Sequence, residues 1–255
     1  MEAKVLFGNT HYNIGKQIIN NMNISLSENE RLAFLSGMVY ADIGRFIFDK
    51  KVGIASDSTI FAEEMKKYTT TNAEKWFVRG IEMHILQDQQ TNDFLTHIFG
   101  KNNNGYLNYI MECGLLDCYF LRNNKSYIYN EFLDKFNYEQ VTSELDTVSI
   151  ARSLGIPDNK ILPMCKSIIS SFYMQISKCN LITYNELIVK TYHSLGLKIT
   201  QKDVQEQEAN IVGASIIACF IASKQQLPDK LSIKIDAECK KVINLCTNAI
   251  CKNNL

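Results

Sequence analysis

The sequence predicts an all-α protein built as one multi-helix bundle. Apolar residues recur at the three- and four-residue spacing of helices along nearly all of the 255 residues, and the alternation typical of strands is scarce. Only three prolines interrupt the chain, so long helices are possible. No linker rich in Pro, Gly or Ser divides the sequence, and residues 1–255 are therefore predicted to form a single domain.

Capping boxes mark several helix starts. In such a box a hydroxyl accepts from the backbone N–H three residues later, and an acid at that position reaches back to the cap. The sequence offers Ser27-x-x-Glu30, Thr71-x-x-Glu74 and, in a weaker form, Thr200-x-x-Asp203. Together with the periodicity, these starts predict helices at 11–22, 28–48, 58–68, 72–90, 92–99, 104–122, 126–136, 140–154, 158–178, 181–195, 201–224 and 229–251.

The first two predicted helices each carry a polar residue on an apolar face. His11 opens the helix at 11–22, and two isoleucines follow it at helical spacing, so we expect His11 to face the core. By itself it is equally explained as a helix-end histidine that contacts nearby backbone groups. In the helix at 28–48, Asp42 is in line with Leu32, Leu35, Val39 and Phe46. Because a buried unpaired carboxylate costs several kcal/mol, we expect Asp42 to have a partner or a cation.

The helix at 72–90 places His84 and Asp88 on the face that Phe77 and Ile81 begin. A His-x-x-x-Asp spacing sets an imidazole and a carboxylate one turn apart, where they can bind one metal ion or hydrogen-bond to each other. Taken alone, the pattern is more often a buried histidine bonded to its own neighbour. A shared metal or substrate site would explain all four inward-facing polar residues at once, namely His11, Asp42, His84 and Asp88.

Glycines accompany these polar residues. Gly37 and Gly44 lie on the helix at 28–48, and Gly80 precedes His84 by four residues. A glycine within a helix costs roughly 1 kcal/mol relative to Ala, which is easier to understand where backbones or ligands approach closely.

Composition excludes several classes of protein. Lys+Arg and Asp+Glu are equal at 27 each, so the chain lacks the basic field of a nucleic-acid-binding protein. The most apolar stretch, 211–222, is shorter than the roughly 20 residues of a membrane span, and no transmembrane segment is expected. The first residues do not resemble a secretory signal.

Eight cysteines form no CxxC pair, so we expect free thiols packed as small hydrophobes in a reducing, cytoplasmic location.

Three segments in their order and spacing resemble the zinc-dependent phospholipase C and S1/P1 nuclease family of helical metal phosphodiesterases. They are residues 10–12 (THY), 37–44 (GMVYADIG) and 80–88 (GIEMHILQD), and the resemblance covers about residues 8–120. It implies an all-α fold in which zinc ions between helices activate a water for attack on phosphorus. His84 and Asp88 would then be catalytic, and the metal ligands would be Asp42, His84, Asp88, His11 and Asp57.

The sequence also departs from the family pattern. Asp57 lies in the loop where the family has a histidine, Phe94 occupies the position of another, and Asn108 replaces the histidine of a His-x-x-x-Glu motif that ends here at Glu112. His97, Asn108 and Glu112 are therefore weaker candidates, and fewer than three metals are expected. The remaining set is rich in oxygen, which suits Mn²⁺, Fe²⁺ or Mg²⁺ as well as zinc.

Two functions follow as alternatives. The first is a metal-dependent hydrolase that acts on a small-molecule or lipid-like phosphate ester. The second, favoured by the missing histidines, is a divergent non-hydrolytic member that serves as a binding protein or performs different chemistry in the helical pocket. An isoprenoid synthase would also be all-α, but the paired aspartate clusters that hold Mg²⁺-diphosphate are absent from the inward-facing positions.

Overall fold

The fold is that of a computed structural model, which describes residues 8–22, 24–52, 58–100, 112, 113, 116, 119, 120, 184–203 and 229–253. Six helices within these ranges are α1 Gly8–Asn21, α2 Glu28–Val52, α3 Ser58–Lys66, α4 Asn72–Phe99, α5 Asn185–Ser194 and α6 Asp229–Asn253. The described residues between 112 and 120 and those at 201–203 are helical as well. No strand occurs in these ranges, which confirms the all-α class.

Most predicted helices in the described ranges are present, with ends shifted by a few residues. The break expected between 90 and 92 was wrong, because α4 continues through it to Phe99. At this point the Thr91 hydroxyl is buried and donates to the Gln87 carbonyl at 3.4 Å, so the polar side chain is satisfied within the helix. The helices predicted at 126–136, 140–154 and 158–178 lie outside the described residues.

The three capping boxes form as predicted. The Ser27 backbone N–H donates to Glu30 Oε2 at 2.8 Å, and the Glu30 N–H donates to Ser27 Oγ at 3.3 Å. The same reciprocal bonds join Thr71 with Glu74 and Thr200 with Asp203. The three helix starts that carry a capping box, at residues 28, 72 and 201, are therefore predicted to the residue, because each is specified by local hydrogen bonds. Two of the starts predicted without a box, at 11 and 181, are less accurate, since the two helices begin at Gly8 and Asn185.

Two glycines allow α2 and α4 to cross at close range. A Cβ added at Gly37 would lie 1.9 Å from the Phe77 carbonyl oxygen, and one added at Gly80 would lie 2.1 Å from the Phe34 carbonyl oxygen. Any side chain here would force the two backbones apart. The close approach expected from these glycines is confirmed, whereas the surroundings of Gly44 lie outside the described side chains.

The main core lies among α1, α2, α4 and α6. Its buried residues include Ile14, Ile18, Phe34, Leu35, Met38, Phe94, Leu95, Ile98, Ile235, Val242, Ile243, Cys246 and Ile250. None of the described helices combines the length and apolar character that a membrane span requires.

A second, aromatic cluster joins α3 and α5 to α2 and α4. It contains Tyr40, Phe61, Phe77, Tyr184 and Tyr192, whose rings contact one another. The Tyr40 hydroxyl donates to the Tyr192 oxygen at 3.3 Å, and burial raises the pKa of Tyr192. This cluster packs α3 and α5 against α2 and α4.

None of the described cysteines forms a disulfide, as predicted. Cys113, Cys239 and Cys246 are buried, and burial raises the pKa of Cys239 and Cys246 to about 12, so both remain neutral thiols. Cys251 is exposed, and the expectation that it packs on an apolar face was wrong. It lies in the last turn of α6, which ends at Asn253. The other four cysteines, Cys118, Cys165, Cys179 and Cys219, lie outside the described residues.

Candidate metal centre

Two helices bring three of the predicted ligands together. His11 lies in the first turns of α1, and α4 supplies His84 and Asp88 one turn apart. The His11 and His84 side chains are buried, whereas Asp88 keeps 21% of its side chain exposed. Ile14 and Ile18 bury the same face of α1, so the packing that forms the core also turns His11 towards α4.

Both imidazoles face the same carboxylate. His11 Nε2 lies 3.3 Å from Asp88 Oδ1, and His84 Nε2 lies 3.3 Å from Asp88 Oδ2. The two rings are stacked, with centroids 3.7 Å apart and planes inclined by 24°. One ligand atom from each residue lies within 4.8 Å of the others, so this group can hold a metal ion.

Each histidine is fixed through its other nitrogen. His84 Nδ1 lies 2.6 Å from the Met38 backbone carbonyl on α2, and His11 Nδ1 lies 2.8 Å from Gln87 Oε1. Because oxygen is the acceptor in both bonds, each Nδ1 carries a proton and donates it. A neutral ring then has its lone pair on Nε2, which is the arrangement of metal-ligating histidines.

One buried nitrogen of this group, His11 Nε2, is left without a bond of hydrogen-bond geometry to any described residue, although a carboxylate oxygen lies 3.3 Å away. Protonating both rings would place two positive charges 3.7 Å apart, a repulsion of roughly 4 kcal/mol at an effective dielectric constant of about 20. A cation bound by the three side chains would give His11 Nε2 a partner without a second positive charge on the rings.

Asp88 supplies the negative charge of the group. Burial acts to raise its pKa, but in the metal-free chain the positive charge of a protonated His84, together with hydrogen bonds from the His11 and His84 imidazoles, outweighs burial and holds the pKa of this carboxyl well below its usual range. Asp88 is therefore ionised at neutral pH, as a metal-binding carboxylate must be.

The distances fit a small divalent ion. Zinc–ligand bonds of about 2.0–2.1 Å in tetrahedral geometry separate neighbouring ligand atoms by roughly 3.3 Å. The two nitrogen–oxygen separations in this group are both 3.3 Å. Three protein ligands would leave a fourth position for water or substrate.

Other predicted site residues are placed elsewhere or lie outside the described part. Asp42 belongs to α2, one turn after Met38, but its side chain is not among those described, and Asp57 and Asn108 lie outside the described residues. His97 is exposed on α4, with Nδ1 3.2 Å from Glu238 on α6. Glu112 is helical and is not part of the group of His11, His84 and Asp88.

Two groups that orient the histidines were missed by sequence reasoning. Gln87 is fully buried on α4, between Leu86 and Asp88. Neighbouring residues of a helix point about 100° apart, so Gln87 lies beside the apolar stripe that includes Asp88 and was not identified from it. The Met38 carbonyl is a backbone group and leaves no side-chain signal. The only sequence feature related to it is the pair of helix glycines, Gly37 and Gly80, whose crossing brings Met38 to α4.

Comparisons with known proteins do not add to this picture. No protein-family model, no curated protein and no solved structure matches the chain. A functional assignment therefore depends on the residues of the metal centre and on the sequence segments that surround them.

Proposed function

We propose that this chain is a metal-dependent hydrolase of a phosphate ester, with one divalent transition-metal ion bound by His11, His84 and Asp88. The main support is the direction of the two imidazoles. Both have Nδ1 engaged by an oxygen acceptor, and both aim Nε2 at one ionised carboxylate 3.3 Å away. A purely structural ion pair with Asp88 would need only one of these two histidines.

The protein residues would divide the work as follows. A divalent ion in this position would supply Lewis acidity and would lower the pKa of a water molecule to about 7. His11 and His84 would hold it as neutral ligands, fixed by Gln87 and the Met38 carbonyl, and Asp88 would offset one positive charge. The partly exposed side of Asp88 is where substrate and solvent would enter.

The substrate class comes from the family resemblance. The three segments 10–12, 37–44 and 80–88 match the zinc-dependent phospholipase C and S1/P1 nuclease pattern in order, and two of them supply the residues of the metal centre. The zero formal net charge of the chain does not favour nucleic acid, so we propose a small-molecule or lipid-like phosphoester. Zinc is the ion that the resemblance implies, and Fe²⁺ or Mn²⁺ would also suit two imidazoles and a carboxylate.

A non-hydrolytic role of the same scaffold is the alternative. Phe94, at a position where the family has a histidine, is buried in the core and has no ligand atom. His97, the nearest imidazole in sequence, is paired with Glu238 instead. A chain with this reduced ligand set could bind a metal or a small molecule without cleaving a phosphoester.

A reducing location, the cytoplasm, is proposed on the basis of the thiols. None of the four described cysteines forms a disulfide. Disulfides form and persist in oxidising compartments, so a chain whose described cysteines are reduced is best suited to a reducing one.

The hydrolase proposal is tested by assaying zinc-loaded protein on bis(p-nitrophenyl) phosphate, a generic phosphodiester, with Asp88→Asn beside it. Asparagine keeps the volume of the side chain but removes the charge that the cation requires, so metal content and hydrolysis should both be lost. Asp93→Asn, at an exposed position of the same helix, is the matched control and should keep both. Zinc binding without hydrolysis would favour the binding-protein alternative.

A further inference from the structure

The Gln87 side chain is oriented at a cost. Its Oε1 accepts from His11 Nδ1 at 2.8 Å, and both side chains are fully buried. Its Nε2 has no oxygen or nitrogen acceptor among the described residues, and the Cys246 thiol beside it is only a weak acceptor. A buried amide N–H gains little from such a partner, so this orientation requires an explanation.

The two possible orientations of this amide impose different tautomers on His11. With Oε1 towards the ring, the proton is on Nδ1 and the lone pair of Nε2 faces Asp88. With the amide turned over, an N–H would donate to Nδ1 and the proton would move to Nε2, beside the Asp88 oxygen. Only the first tautomer leaves Nε2 able to bind a cation.

We propose that Gln87 is a positioning residue that holds His11 in the metal-binding tautomer. The proposal rests on the metal centre proposed above. The acceptor for His84 is a backbone carbonyl of α2, which cannot be turned over, whereas His11 depends on a side chain. The two histidines therefore differ in how their tautomers are fixed, and a change at Gln87 should act on His11 alone.

Three variants separate positioning from packing. Gln87→Met keeps the approximate size of the side chain and removes the acceptor. Gln87→Glu keeps the acceptor and strengthens it. Gln89→Met makes the first change at an exposed position of the same helix and serves as the control. Each protein is titrated with Zn²⁺ alone against a chelating dye, and long-range ¹H–¹⁵N spectra report which nitrogen of His11 carries the proton.

We expect Gln87→Met to bind Zn²⁺ about 10–100-fold more weakly than the wild type and to lose the fixed Nδ1–H tautomer of His11. Gln87→Glu should bind Zn²⁺ at least as tightly as the wild type, because a stronger acceptor makes Nε2 a better donor to the metal. Gln89→Met should not differ from the wild type. Weakened Zn²⁺ binding in Gln87→Met together with retained binding in Gln87→Glu is the result that a purely structural role of Gln87 does not produce.

The outcomes distinguish this proposal from the metal centre itself. A wild-type chain that does not bind Zn²⁺ would overturn the metal centre and the role of Gln87 with it. A wild-type chain that binds Zn²⁺, together with a Gln87→Met variant of equal affinity, would overturn the role of Gln87 alone. If Gln87→Met does not fold, Gln87→Glu decides, since weakened binding in that variant contradicts the proposal and retained binding supports it.

Discussion

Gly37 and Gly80 lie against each other where α2 crosses α4, and their contact sets the position of His84. A Cβ on either residue would approach the Cα of the other to 3.0 Å. Met38 follows Gly37 directly, and His84 lies one turn after Gly80, so the close crossing brings the Met38 carbonyl within 2.6 Å of His84 Nδ1. The helix crossing and the candidate metal centre are therefore one structural unit.

Gly80→Ala should separate the two helices. The added methyl group would lie 2.1 Å from the Phe34 carbonyl oxygen, which is part of a rigid helix, so we expect a destabilisation of about 1–3 kcal/mol in urea unfolding. Gly15→Ala is the control. Its methyl group would meet only side-chain atoms of Met38 and Leu35, at 3.0 and 3.3 Å, which can move. Equal losses in the two variants would show that the crossing does not require glycine.

The carboxylate of Asp88 should stabilise the metal-free fold in a pH-dependent way. Its folded-state pKa is lowered, so its contribution is complete above the unfolded value of about 3.9 and disappears as the pH falls through the folded value. In chelated protein, Asp88→Asn should therefore unfold at lower urea concentration than the wild type at pH 7. The difference should shrink below about pH 4. A difference that is the same at every pH, or that Asp93→Asn reproduces, would contradict this account.

Thiol reactivity should follow burial. We expect Cys251 to react with a thiol reagent in the native protein, since it is exposed, and Cys113, Cys239 and Cys246 to react only after denaturation. Mass mapping of the labelled positions under native and denaturing conditions provides the measurement. Disulfides that involve any of these four residues, in protein taken directly from its source, would overturn the proposed reducing location.

The all-α class and the starts of the capped helices were predictable because local sequence patterns determine them. Helical spacing of apolar residues and three capping boxes define them, and neither depends on distant contacts. The helix at 72–99 was predicted in two pieces, 72–90 and 92–99, and the bond from Thr91 to the Gln87 carbonyl that keeps it continuous is visible only in the folded structure.

The site was predictable only in part, for a physical reason. His11, His84 and Asp88 could be identified because each is a polar residue on an apolar face. That the three meet at one point depends on the tertiary packing of the helices, which the sequence pattern does not give. The stacking of the two imidazoles and the roles of Gln87 and the Met38 carbonyl depend on how α1, α2 and α4 pack. Helical periodicity gives the direction of a side chain but not the neighbour it meets.

Elemental analysis of the purified protein tests the central claim most directly. The protein should be prepared without chelators and without a metal-affinity resin, and Asp88→Asn and Asp93→Asn should be prepared in parallel. The account predicts at least about half an equivalent of a transition metal in the wild type and in Asp93→Asn, almost none in Asp88→Asn, and a lower unfolding midpoint of the wild type after chelation. A metal-free wild type that takes up no added zinc, and whose stability is unchanged by chelation, would contradict it.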